Sequence, residues 1–379
     1  MAAGQKSVSI SRRGYDISTV GHKPEASGPR AIVIRVLVVD DSAMVRKALT
    51  EELAQFSDIE VVGSAIDPYM ARDKILELKP DVLTLDLEMP RMDGLTFLEK
   101  LMLHHPMPVV VVSSLTAARA DMALRALELG AVAVVAKPSR YLAPDVRRDL
   151  VSALRAAATT HVQKRVVVGT VQAQAPVPLL LRTTHKILAV GASTGGTVAV
   201  EAMVKSLPAD APGTVIVQHI PGGFSASFAN RLNDVCAMEV REAKDGDRVV
   251  PGVILVAPGG WHMVLTKSGA DYLVRIKDGP LVHYQKPAVD ILFQSVAKTA
   301  GANAIGVILT GMGSDGAKGL LAMRESGSLT IAQDEATSLV FGMPKEAIAL
   351  GAASEILPLH TIAGRVLKYV ADTADTVPA

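Results

Sequence analysis

Apolar and polar positions alternate in blocks along most of this chain. Ile34–Val39 is an apolar stretch that reads as a buried strand, and Ala43–Phe56 repeats its apolar residues at helical spacing. The alternation continues with strands at Ile59–Gly63, Asp81–Asp86, Val109–Ser113 and Val132–Val135. Helices are expected between and after them at Pro68–Leu78, Leu95–His104, Ala117–Leu129 and Pro144–Ala157. Five strand–helix units in succession predict a doubly wound, five-stranded parallel sheet of the flavodoxin-like kind.

The pattern then breaks. Residues 159–184 contain Gln163, Gln172, Gln174, Pro176 and Pro178 without a clear period, and read as an interdomain linker with two short apolar runs, Val166–Val168 and Leu179–Leu181. A second α/β alternation starts at Lys186. Its expected strands are Ile187–Gly191, Val215–Gln218 and Ala304–Leu309, and its helices Thr197–Ser206, Phe224–Leu232 and Pro287–Ala300. The middle, Glu239–Lys277, reads as a hairpin region of short strands and turns, punctuated by Asp245-Gly246 and Pro258-Gly259. The expected division is an extension at 1–32 without fixed structure, a first domain at 33–158, the linker at 159–184, a second doubly wound α/β domain at 185–372 and a tail at 373–379.

Composition narrows the possibilities. With 39 basic against 38 acidic side chains the net charge is +1, which gives nucleic acid little to attract. Mean hydropathy is high, +0.31, but runs such as Pro108–Val112 and Ala131–Ala136 are far below the ~18 residues of a spanning helix, so no membrane insertion is expected. Cys236 is the single cysteine, so no internal disulfide forms, in keeping with a cytoplasmic location. The polar stretch Met1–Arg30 lacks the apolar core of a secretory signal.

Candidate chemistry sits at the strand ends. Asp40 and Asp41 follow the first strand, Asp86 ends the third, Ser113 ends the fourth, and Lys137-Pro138 follow the fifth. In an open parallel sheet these positions converge on one crevice. Close carboxylates repel unless a hard cation sits among them, and Mg²⁺ favours oxygen ligands. A phosphoryl group could then pass to a carboxylate, with Lys137 and Ser113 meeting its oxygens. The stretches Val38-Val39-Asp40-Asp41-Ser42, Asp81–Asp86 and Met89-Pro90-Arg91-Met92-Asp93-Gly94, with Lys137-Pro138, resemble a response-regulator receiver domain. The resemblance implies Asp86 as phosphoacceptor, Asp40, Asp41 and Asp86 as Mg²⁺ ligands, and a further ligand from the Glu88 backbone. One position departs from it: where receivers often carry an aromatic switch residue, three before the lysine, this chain has Val134.

The second region carries Gly191-Ala192-Ser193-Thr194-Gly195-Gly196 between a strand and a helix, the G-x-S-x-G spacing of a nucleophile elbow. His219 ends the next strand and should lie beside Ser193. Asp315 follows the strand Ala304–Leu309 and could orient the imidazole. The order Ser, His, Asp differs from that of α/β-hydrolases. A rival reading exists, because Gly311-Met312-Gly313-Ser314-Asp315-Gly316 also matches G-x-G-x-x-G with Asp334 further on, a dinucleotide-type loop. Asp315 would then put a carboxylate where a pyrophosphate must sit. Among other candidates, His262 and His283 lie in the hairpin-like middle, and Cys236 has no glycine turn or neighbouring histidine.

Gly191–Gly196, Gln218-His219-Ile220-Pro221, Phe224–Ala229, Ala257-Pro258-Gly259-Gly260 and Leu309–Ala317 are similar to the catalytic domain of chemotaxis protein-glutamate methylesterases. That resemblance implies Ser193 as nucleophile, His219 as base, Asp315 as orienting acid and the Met312 N–H as oxyanion donor. It also implies methyl-accepting chemotaxis receptors as substrates, glutamine deamidation on them, a chemotaxis histidine kinase as phosphodonor, and an esterase that needs no cofactor. The alternative is a non-catalytic module that changes partners on phosphorylation.

Overall fold

The computed structural model describes residues 33–114, 117–137, 144–160 and 186–374. The expected extension at 1–32, Pro138, linker residues 161–184 with both apolar runs, and residues 375–379 lie outside them.

The first region is built from β1 (Ile34–Val39), α1 (Ala43–Leu53), β2 (Ile59–Ala65), α2 (Pro68–Leu78), β3 (Val82–Leu85), α3 (Gly94–His104), β4 (Val109–Ser113), α4 (Ala117–Leu129), β5 (Ala133–Ala136) and α5 (Pro144–Thr159). Its sheet order is β2-β1-β3-β4-β5, all parallel. Local chemistry starts the helices. Asp67 accepts from the N–H groups of Tyr69 and Met70, both at 2.9 Å, with Pro68 in the first turn of α2. Asp93 accepts from Thr96 N at 2.9 Å to begin α3. The central strands β3 and β4 are buried along their whole length, which is why they read as largely apolar runs.

The second region comprises β6 (Ile187–Ala192), α6 (Gly196–Val204), β7 (Gly213–Gln218), α7 (Ser225–Val235), β8 (Glu239–Glu242), β9 (Val253–Val256), β10 (His262–Ser268), β11 (Asp271–Lys277), α8 (Val289–Ala300), β12 (Ala304–Ile308), α9 (Ala317–Glu325), β13 (Leu329–Gln333), α10 (Met343–Ala349), β14 (Glu355–Leu357) and α11 (Leu359–Ala374). Seven parallel strands form the order β14-β13-β12-β6-β7-β9-β8. Only part of the middle region is a hairpin: β10 and β11 pair antiparallel, whereas β8 and β9 belong to the parallel sheet. Val253–Val256 is an apolar run of buried-strand type, and its brevity between two turns hid that it continues the sheet.

In each sheet the chain reverses its direction of growth once, and ligand crevices form at such points. In the first sheet the reversal lies between β1 and β3, which end at Asp40 and Asp86. In the second it lies between β6 and β12, which lead into Ser193 and the 309–316 loop. The two regions also share cores. Phe224, before α7, is 1% exposed and buried in the first region's apolar cluster, and Leu124 of α4 is buried in the second region's. Covering one such phenylalanine contributes about 2–3 kcal/mol.

Candidate active site and phosphorylation pocket

The sheet register brings Ser193 and His219 together. Ala192 is paired with Gln218 on the neighbouring strand, so the next residue of each leaves the sheet at the same level. His219 N donates to Ala192 O at 3.0 Å and Ser193 N to Thr310 O at 3.0 Å. The Gln218 carboxamide donates to Ser193 O at 2.8 Å and to His219 O at 3.0 Å, tying the two loops. Gly195 begins α6 in the left-handed region, φ +77°, where a Cβ would also meet Leu339 at 2.7 Å. A Cβ on Gly311 would lie 2.7 Å from the Ser193 Cβ, so only glycine lets the 309–316 loop approach this closely.

Asp315 is 2% exposed. Its Oδ2 is 2.8 Å from His219 Nε2 and accepts from Val289 N at 2.7 Å, while Oδ1 accepts from Asp290 N at 2.9 Å. It thus fills the N-terminus of α8, where two orphan N–H groups and the helix dipole favour an anion. Burial works to raise its pKa, but the hydrogen bond and charge of His219, with the two backbone donors, outweigh it and hold the carboxyl below its ordinary value. With Nε2 engaged by Asp315, Nδ1 is the ring nitrogen left for Ser193, and no hydrogen bond joins Ser193 Oγ to His219 in this arrangement. The backbone N–H of Met312 donates to no acceptor among the described residues.

The other candidates are placed elsewhere. Both ring nitrogens of His262 are engaged, one 2.9 Å from Pro280 O and the other accepting from Ala288 N at 3.2 Å. His283 pairs with the buried Asp290 at 2.9 Å. Burial, with the charge of Glu201, pushes the Cys236 thiol up to about 11, far from a ready nucleophile. The dinucleotide-type loop finds no support: Asp315 occupies a helix N-terminus, and Asp334 closes its own turn by accepting from Thr337 N at 3.0 Å.

Two contributors had no role assigned from sequence. Gln218 stood beside His219 in the motif, but its neighbourhood with Ser193 needed the register. Thr310, 1% exposed, donates to Thr194 O at 3.0 Å and accepts from Val340 N at 2.9 Å, bracing the nucleophile loop.

In the first region, carboxylate oxygens of Asp40, Asp41 and Asp86 lie within 4.8 Å of one another. Asp40 and Asp86 are buried and Asp41 is exposed. Lys137 Nζ bridges the buried pair, 2.7 Å from Asp86 and 2.9 Å from Asp40. Burial, then the nearby Asp86 charge, raises the Asp40 pKa against the pull of Lys137 and Ser42 N–H. Burial also opposes the Lys137 charge, but its bonds to Asp86 and Asp40 together prevail and hold the ammonium above its ordinary range. Ser113 is buried at the end of β4, its carbonyl accepting from Lys137 N at 2.7 Å. Glu88 N donates to Asp86 Oδ1 at 3.2 Å, so its backbone lies against that carboxylate, while its own side chain pairs with Arg119 at 2.6 Å.

The candidate esterase site faces the first region. A cleft of about 400 Å³ is lined by Ser193, His219 and Met312 on one wall and by Val134, Arg148 and Ser152 on the other. Ser152 Oγ lies 3.4 Å from Met312 Sδ, the Arg148 guanidinium stacks on Tyr284 at 5.0 Å, and Arg231 of α7 is ion-paired with Glu128 of α4. Val134, the position without an aromatic ring, therefore lines the boundary itself.

Residues 36–143 match the response regulator receiver domain and residues 188–366 the CheB methylesterase domain. This chain belongs to the CheB methylesterase family. Three relatives named protein-glutamate methylesterase/protein-glutamine glutaminase show how far the likeness extends. The one from Syntrophus aciditrophicus is 54% identical over 340 residues, covering 89% of this chain and 99% of that one. One from Anaeromyxobacter dehalogenans is 53% identical over 358 residues, covering 91% and 99%. One from Bdellovibrio bacteriovorus is 50% identical over 349 residues, covering 89% and 97%. For a CheB-family chain the first sheet is thus the receiver and the second the methylesterase region. Among the described residues no helix is long and apolar enough to cross a membrane.

Proposed function

We propose that this chain is a phosphorylation-controlled esterase and amidase that acts on glutamate γ-methyl esters, and on particular glutamines, of methyl-accepting chemotaxis receptors in the cytoplasm. The observation that carries the reading is the buried Asp315 carboxylate held against His219 at 2.8 Å, beside Ser193, in a CheB-family chain. Ser193 Oγ attacks the ester carbonyl as His219 Nδ1 takes its proton. Asp315 stabilises the imidazolium that results. The Met312 N–H faces the developing oxyanion. The C–OCH₃ bond breaks and His219 returns the proton to methanol. Water then attacks the acyl-enzyme by the same proton route and frees the glutamate carboxylate and Ser193. For glutamine the leaving group is ammonia. Catalytic hydrogen bonds often tighten only around substrate, which accommodates the missing Ser193–His219 bond.

Control belongs to the receiver. Asp86 is the phosphoacceptor, with a histidine kinase as donor. Asp40, Asp41, Asp86 and the Glu88 backbone would hold Mg²⁺, and the fit is good: two of the three carboxylates are buried, and burial with the Asp86 charge raises the Asp40 pKa, which a cation would counter. Bound there, Mg²⁺ would neutralise phosphoryl charge during transfer. Lys137 and Ser113 would then meet the phosphoryl oxygens. A Lys137 drawn toward phosphate loosens its grip on Asp40, and α4 and α5, which follow the strands that lead to Ser113 and Lys137, also form the boundary with the esterase. The receiver's wall of the cleft excludes a protein substrate until that boundary opens.

The test is methanol release from radiolabelled, methylated receptor membranes. The full chain should accelerate severalfold on adding acetyl phosphate with Mg²⁺, and Asp86→Asn should stay at the basal rate. Equal rates with and without phosphodonor would remove the regulatory part of the reading.

A further inference from the structure

The buried layer beneath His219 holds a second carboxylate that the proposed triad does not use. Asp290 is 2% exposed, on the first turn of α8. Its Oδ1 accepts from Gly319 N at 2.6 Å and its Oδ2 lies 2.9 Å from His283 Nε2, while its own N–H donates to Asp315. Oxygens of Asp290 and Asp315 and a nitrogen of His283 lie within 4.8 Å of one another. Two carboxylates this close and this buried repel strongly, and an unpaired buried charge is among the most destabilising features a core can carry. Burial and the Asp315 charge push the Asp290 pKa up, while Asp315 is held down, so the two are driven toward different protonation states.

His283 is the partner that resolves this conflict, and it comes from the wall of the cleft. It belongs to the 281–286 loop, which contributes Leu281, Tyr284, Gln285 and Lys286 to the lining. His283 and Tyr284 both adopt left-handed backbone, φ +50° and +63°, which non-glycine residues enter only when other contacts compel it. The loop is clamped by Lys286 Nζ on Asp278 at 2.7 Å, by Gly260 N on Lys286 O at 3.0 Å, and by the His283–Asp290 bond.

Taking Ser193, His219 and Asp315 as the triad, we propose that His283 and Asp290 are positioning residues for the reaction. They form a second histidine–carboxylate pair that neutralises the charge beside Asp315 and latches the cleft loop to the helix that holds it. His283 touches no reacting atom and acts through Asp290 and Asp315.

The experiment measures kcat and KM for methanol release by the phosphorylated full chain. His283→Ala should lower kcat about tenfold, the cost of a misplaced catalytic group, with a much smaller change in KM. His283→Gln, whose amide can still donate to Asp290, should recover to within about threefold of wild type. Adding Asp290→Asn to His283→Ala should restore much of the loss, because no charge then needs a partner. Ser193→Ala, run alongside, reports on the triad itself: were it active, the triad reading would fail whatever His283 did. With Ser193→Ala inactive, an unchanged kcat in His283→Ala overturns the pairing. So does a loss that neither Gln at 283 nor Asn at 290 relieves, since that marks a structural effect alone.

Discussion

His219 Nε2 stands 2.8 Å from Asp315 Oδ2, and that carboxylate is itself fixed by two N–H groups of α8. The ring therefore has one orientation imposed on it from the core side. His219→Gln should lower methanol release by about 10⁴–10⁶-fold, and Asp315→Asn by about ten- to a hundredfold less than that. His262→Gln should fall far short of either, because both its ring nitrogens serve backbone groups away from the cleft. Inactivation by the His262 change alone, measured with the fold checked by circular dichroism, would relocate the base.

The same carboxylate should leave a mark on stability. Its folded-state pKa is depressed, so its contribution is fully present above the unfolded value of about 4 and is lost as pH falls through the folded one. Urea unfolding at pH 6 and pH 3 should show wild type losing more stability on acidification than Asp315→Asn, by on the order of 1 kcal/mol. Equal losses would mean that Asp315 gains no net support in the fold.

Asp40 behaves in the opposite sense. Burial raises its pKa, so keeping it ionised at neutral pH costs stability, and that cost grows as pH rises from the unfolded value through the folded one. Asp40→Asn, without divalent cation, should raise the thermal midpoint by about 2–4 °C while impairing phosphorylation from acetyl phosphate. A lowered midpoint would show that its ion pair with Lys137 outweighs the desolvation.

Much of this was legible in the sequence because it is carried by local pattern. Pro68–Leu78, Val109–Ser113 and Ala117–Leu129 have the bounds that apolar spacing predicts, and Asp67 and Asp93 announce the starts of their helices. The strand-end residues Asp40, Asp86, Ser193 and His219 follow the same logic, since parallel sheets gather chemistry at one edge. What stayed hidden depends on register and on distant partners. Nothing local says that β8 and β9 extend the main sheet, that the Gln218 carboxamide reaches Ser193 O, or that His283 finds Asp290. Val134 could be marked as lacking a ring, but its place on the wall of the cleft is a property of how two regions meet.

That meeting can be tested through one ion pair. Arg231 on α7 binds Glu128 of α4 and also Glu201, away from the triad. Arg231→Glu sets like charges against each other across the boundary. Without phosphodonor the variant should release methanol severalfold faster than wild type, and adding Glu128→Arg should restore restraint. An unchanged basal rate in Arg231→Glu would show that this contact does not hold the receiver in place.

Ester cleavage depends above all on Ser193. Methanol release from methylated receptor membranes, followed with acetyl phosphate and Mg²⁺ for wild type and Ser193→Ala, addresses it directly. Wild type should release methanol faster when phosphorylated, and Ser193→Ala should release none above background in either condition while still folding and still taking phosphate on Asp86. Release by the variant at a rate near wild type would place the nucleophile elsewhere and contradict the mechanism.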